Sequence, residues 1–220
     1  GDVKAGELLE VGYALIEMRQ GGFSAAELYK AGYGVQDMKK AGFTCQEVRE
    51  AGFVDGLKEA GFTCKEARNA GFSVELKRAG YSVRDLKLAG CTLSEVRAAG
   101  FVRGIKAAGF TCKDAKRERF PARQLRAAGF TCEEAMTAGY VSDLKVAGFT
   151  VEEARAANCT CTDLKAAGYV EGVSAAGYTI QECFEAIYSC EQARAAGFVE
   201  GFKAAGYTVK EAKVAGFSPE

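Results

Sequence analysis

Apolar and polar positions along this chain follow a short, strict rhythm. A glycine and an aromatic return every nine or ten residues, from Gly12-Tyr13 to Gly216-Phe217. Counting each unit from its glycine as position 0, the stretch Gly42–Ala51 puts apolar residues at positions 1, 3 and 6 (Phe43, Cys45, Val48). Polar ones stand at 2, 5 and 7 (Thr44, Glu47, Arg49). Thr44 and Glu47 form an S/T-x-x-E capping box, which satisfies two orphan amides at a helix start. Phe43 stands before the cap and Val48 one turn inside it, the arrangement of a hydrophobic staple. Gly52 falls where a helix ends in the left-handed region, and Phe53 after it is placed to pack back on Val48. Each unit therefore predicts a helix of about seven residues, about 10 Å long, closed by a one- or two-residue corner.

Charge follows the same grammar. An acid occupies position 5 in most units (Glu27, Glu47, Glu66, Glu95, Glu153) and a base position 7 (Arg19, Arg49, Arg68, Arg126, Arg155). Both placements complement the helix dipole. The grammar accounts for 29 basic and 29 acidic residues without invoking a charged partner, so zero net charge argues against nucleic acid.

Helices this short do not stand alone in water. They must stack, so the expected fold is an all-α solenoid of very short capped helices without β-sheet, one repeat array over residues 1–220. Residues 1–12 read as an atypical N-terminal unit. Five nine-residue units lack the Ser/Thr cap: those opening at Phe53, Phe101, Tyr140, Tyr169 and Phe198. Their glycines Gly139, Gly168 and Gly197 lie 29 apart. That recurrence predicts a 29-residue super-repeat of three helices per superhelical turn. A two-sided coil of about 20 residues per turn is the rival, and it predicts no such recurrence.

Three units break the rhythm by losing their glycine. Arg119 lies in the most basic segment, with Lys116, Arg117, Arg123 and Arg126, a candidate docking patch for an acidic partner or an anionic polymer and otherwise a solvated face. Asn158 tolerates the left-handed region. Ile187 does not, being β-branched, so the helix is expected to run on from about 180 to 196, making 183–196 an irregular longer-helix unit. Phe184 then falls where a base usually faces water, beside Ile187 and Tyr188. These three are candidate anchors for a partner protein, against local repacking around the longer helix.

All nine cysteines stand where the pattern wants a small buried hydrophobe, a role free thiols fill well. Cys132, Cys161 and Cys190 are 29 apart and would form one column in a three-helix turn. Helices 8–10 Å apart are too distant for disulfides, so the column reads as buried thiols. Reduced core thiols fit a reducing compartment, intracellular or organellar. Without histidine, His-based acid–base and nucleophilic chemistry is excluded. No phosphate-binding glycine loop follows a strand. No catalytic, cofactor or metal residue is assigned. No run of 18 apolar residues occurs, so no membrane span is expected. No signal-peptide pattern opens the chain, and its start at Gly1 reads as a fragment or processed form.

The phrase Ala-Gly-Phe-Thr-Cys-Lys-Glu-Ala-Arg-x-Ala-Gly-Phe, residues 60–72, resembles the tandem ten-residue AGF/AGY helical repeat proteins of unicellular algae and other protists. The resemblance covers nearly the whole chain and implies a repeat architecture but no activity; a protist or algal source would favour an assembly or linker subunit. The expected function is a non-enzymatic structural scaffold or linker that presents an extended helical-repeat surface to other protein subunits of a larger assembly. The alternative is a thiol-based redox or metal-binding protein that uses the cysteine column.

Overall fold

The computed structural model describes residues 5–217. Among them are seventeen α-helices, fifteen of six residues and two of four, and no strand. Where the sequence reads as one array, the chain divides into two compact units, residues 1–109 and 110–220. Each unit is a coil of stacked helices in its own right.

The repeat closes as its sequence dictates. The Thr44 amide donates to Glu47 Oε2 at 2.7 Å, and the Glu47 amide donates back to Thr44 Oγ1 at 3.2 Å. At the other end Gly52 N–H donates to Arg49 O and Phe53 N–H to Val48 O, with Gly52 at φ 93°. These are the paired bonds of a Schellman ending. Each such cap contributes about 1 kcal/mol. Position 6 supplies the rest: Leu28, Val48, Leu86, Val96, Leu125 and Leu164 are fully buried. Burying a Val or Leu contributes roughly 1.5–3 kcal/mol, but only once a neighbouring turn covers it.

The stacking is two helices per turn, not three. In the first unit Leu15–Gln20 packs on Val35–Lys40, Ala25–Lys30 on Cys45–Glu50, and Cys64–Asn69 on Val83–Leu88. In the second, Cys132–Thr137 packs on Val151–Ala156 and Cys190–Ala195 on Val209–Val214. Every one of these pairs is two repeats apart. The tyrosines confirm the register: Tyr81 Oη donates to Phe62 O, Tyr169 to Phe149 O and Tyr207 to Tyr188 O, at 2.8, 2.6 and 3.0 Å. With two helices per turn the layers meet directly and pack densely. The 29-residue recurrence records where the shortened units fall, three repeats apart and so on alternating sides.

Two of the shortened units carry a backbone bond between turns. Lys58 N–H donates to Ala79 O at 3.2 Å, and Ser174 N–H to Ala196 O at 3.0 Å. Gly56, Gly104, Gly172 and Gly201 take positive φ in the shortened units that hold them. In those four units the extra left-handed residue turns the chain in nine residues, whereas the unit opening at Tyr140 uses the 3-10 turn Val141–Asp143.

The expected long helix through Ile187 is not formed. Ile180–Glu185 and Cys190–Ala195 are separate helices, and Ile187 adopts φ 61° at the corner between them. A left-handed β-branched residue costs roughly 1–2 kcal/mol. The Thr179–Glu182 and Ser189–Gln192 capping boxes flank it and hold the repeat's geometry against that cost.

Candidate functional site

The base at position 7 makes the joint between turns. It reaches from the C-terminal end of one helix to the corner two and three repeats later. There it meets three things: the ring at position 1, the carbonyl before the glycine, and the capping acid. Arg19 Nη1 donates to Ala41 O at 3.1 Å, and its guanidinium lies 4.8 Å from the Phe43 ring centre. Lys39 Nζ lies 3.1 Å from Glu66 and 4.1 Å from the Phe62 ring centre. Arg155 does the same with Glu182 at 3.2 Å and Tyr178 at 4.1 Å. Cation, ring and carboxylate thereby partner one another. Among the described residues no polar or charged residue is buried.

The basic segment is largely engaged in these local contacts. Lys116 lies over the Tyr140 ring at 4.2 Å and 3.8 Å from Asp143. Arg126 Nη1 donates to Gly148 O and to Glu153, at 2.6 and 2.8 Å. Arg117 pairs with Asp114 at 2.9 Å. Arg119 takes the corner's left-handed conformation at φ 52°. Arg123 is exposed, on the short 3-10 turn Ala122–Gln124.

Of the expected anchors, one is on the surface. Ile187 is 79% exposed. Phe184, expected at the surface, stands at position 7 and packs its ring edge-on against Tyr207, 4.9 Å between centres. It thus takes the base's place in the joint. Tyr188 is buried, its hydroxyl donating to Tyr169 O at 3.0 Å.

The column of Cys132, Cys161 and Cys190 is likewise not formed, because residues three repeats apart alternate sides of a two-helix turn. The nine cysteines are free and buried. The sulfurs that meet belong to other pairs. Cys161 and Cys183 lie 3.6 Å apart, Sγ to Sγ. Cys64 is the electrostatic neighbour of Cys91, and Cys132 that of Cys159. Burial pushes the Cys64 and Cys132 thiols up to about 12 and also raises Cys91 and Cys159. In the third pair the hydrogen bond to Cys183, then burial, raises Cys161. The raised thiols are poor nucleophiles at neutral pH, whereas the hydrogen bond with Cys161 lowers Cys183.

One sulfur that sequence reasoning overlooked joins this set. Met136 takes position 7 in place of a base, and Cys159 takes position 1 in place of an aromatic. Cys159 Sγ meets Met136 Sδ at 3.1 Å. The signal was present as two gaps in the grammar, but only the two-helix turn shows that they face each other. Shallow grooves of about 500 and 470 Å³ run beside Cys159–Thr162 and Gly42–Gln46. They recur at equivalent positions, so they belong to the repeat rather than to a single site. No helix among the described residues is long and apolar enough to cross a membrane.

Comparison with curated proteins and with solved structures gives no match. The family model described as Decapeptide repeat region matches residues 2–74, 54–104, 80–141, 101–171 and 139–199. The ten-residue capped helix and its recurrence across both units account for those overlapping matches, and the chain belongs to the decapeptide repeat family.

Proposed function

We propose that this protein is a non-enzymatic scaffold or linker that presents helical-repeat surface to other protein subunits. The observation that carries this reading is how many of the repeated charged side chains are engaged within the fold. Position-5 acids cap helices, position-7 bases join turns, and thiols fill the core, which leaves surface as the chain's resource. Apolar side chains stand out on that surface. Leu88 and Ile187 are each 79% exposed and Val199 84%. Exposed aliphatic residues on a fixed repeat frame suit protein contact better than small-molecule chemistry.

Site-specific photo-crosslinking in the native source tests this. A crosslinker at Ile187 or Val199 is expected to give discrete adducts with one partner, while the same group at Glu133 does not. A chain that elutes as a free monomer from native extract, with no discrete adduct at any of these positions, would overturn the proposal.

A further inference from the structure

We propose that Cys132, Met136 and Cys159 form a three-sulfur binding site for monovalent copper. Cys132 and Met136 are four residues apart on one helix, Cys132–Thr137, and so share a face. Cys159 follows the corner residue Asn158 three repeats later and closes on both. Its Sγ is 3.1 Å from Met136 Sδ, and the Cys132 thiol is its electrostatic neighbour. The three sulfurs therefore converge from two chain segments. In other joints the same seats hold a cation over a ring, as with Arg126 and Phe149. Here both members have been exchanged together for soft sulfur.

Two thiols and a thioether select copper(I), a soft ion that accepts low coordination numbers, over magnesium, calcium or manganese. Zinc asks for four nitrogen, oxygen or sulfur ligands, and among the described residues no group of three or more Cys, Asp or Glu is placed to hold a metal. Binding is a ligand exchange without redox change. Copper(I) leaves its carrier, Cys132 and Cys159 each release one proton, and two Cu–thiolate bonds and one Cu–thioether bond form. Both thiols are buried, whereas Met136 is half-buried and opens the site on its side.

The other thiol pairs lack the third sulfur. Cys64 and Cys91 have Arg68 at the equivalent of Met136. A guanidinium has no lone pair to give and repels a metal cation. Cys161 and Cys183 have Lys165, which donates to Ile187 O.

The test is anaerobic titration of the reduced full chain with copper(I) in competition with bicinchoninate. Ultraviolet thiolate-to-copper charge transfer and X-ray absorption report the sulfur shell. One copper(I) per chain with three sulfur neighbours is expected. Met136→Lys and Cys159→Tyr, which restore residues found in other joints, should each weaken binding by more than the roughly 100-fold that loss of an outer-shell partner costs. Cys91→Tyr should leave binding unchanged. If circular dichroism shows either restoring variant unfolded, Met136→Leu keeps the packing and should remove one sulfur neighbour. The proposal is overturned if the wild type binds no tighter than Cys159→Tyr or, where that variant is unfolded, no tighter than Met136→Leu. It is equally overturned if copper sits between two sulfurs and is lost on Cys183→Ala.

Discussion

The joint around Cys64 in the first unit and the joint around Cys132 in the second share one plan. Both have cysteine at position 3, a cysteine in the ring position 27 residues later, and repeats of ten, nine and ten residues between their corners. They differ at position 7. Arg68 makes a forked pair with Glu95 at 3.0 and 3.2 Å and donates to Ala89 O at 3.4 Å. Met136 instead meets Cys159 at 3.1 Å. The Asp163 carboxylate, at the place of Glu95, remains bonded to Thr160. The backbone is set by caps and corners that both joints share, so the side chains between turns are free to change in kind. One joint is electrostatic and the other is built of sulfur, on one frame.

The strongest test of that comparison converts one joint into the other. Arg68→Met should give the first unit its own trio of Cys64, Met and Cys91, and raise copper(I) stoichiometry from one per chain to two. The lost ion pair is solvent-accessible, so the stability cost should stay below about 1 kcal/mol. A stoichiometry that stays at one would show that position 7 is not what separates the joints.

The next effect is the proton dependence of that binding. Glu153 faces Cys132, Asp163 faces Cys159, and the Tyr169 and Tyr178 hydroxyls lie close by. Burial raises both tyrosine hydroxyls, which stay neutral throughout pH 6–8, and the two thiols exchange the protons. Both thiols are raised by burial and remain protonated there in the free protein. Affinity should therefore fall about 100-fold per pH unit on acidification, two protons per copper. A tenfold slope, measured by competition at several pH values, would mean that one thiol stays protonated and the trio is not the ligand set.

These joints also show what sequence could reveal. Caps and corners are written within ten residues, so Thr44, Glu47 and Gly52 were legible without any knowledge of packing. The stacking number was not, because it depends on which repeats touch. The 29-residue recurrence of Gly139, Gly168 and Gly197 marks shortened units and not a turn of the coil. Read as a turn, it aligns Cys132, Cys161 and Cys190 and hides the meeting of Met136 with Cys159. Ile187 was misread for another reason. Its left-handed cost is real, but the two flanking caps outweigh it, a balance visible only when both helices are seen to end.

Corners should respond more weakly than metal binding, and unequally. Gly90 precedes Cys91 at φ 76°, and Asn158 precedes Cys159 at φ 60°. A Cβ at Gly90 would meet no atom nearer than Arg68 Nη1 at 3.9 Å, so the cost of Gly90→Ala is conformational alone. It should be about 1–2 kcal/mol, read as a lower urea midpoint. Asn158→Gly should leave stability level or raise it slightly, because glycine and asparagine both accept this corner. Ile187→Gly should raise it by about 1–2 kcal/mol. Equal responses of Gly90→Ala and Asn158→Gly would deny that the two corners share a conformation.

Caps should not distinguish the joints at all. Thr63→Ala and Thr131→Ala each remove a hydroxyl that accepts an N3 amide, from Glu66 and Glu134, at 3.1 and 3.2 Å. Each should cost about 1 kcal/mol, and costs that differ by more than half of that would tie the cap to the joint. Acid reports the same bonds. The Thr63 amide, with smaller help from its hydroxyl and from Lys39, holds Glu66 below the usual carboxylate range against the opposing effect of burial. The Thr44 amide leads in lowering Glu47, and the Thr179 amide in lowering Glu182. A folded pKa below the unfolded value of about 4.3 gives stability that is fully present above that value. It is lost as pH falls through the folded pKa. Melting temperature should thus be level from neutrality to about pH 5 and decline below it. In Thr63→Ala that decline should be shallower by the hydroxyl's share, because the amide bond from residue 63 to Glu66 survives the substitution.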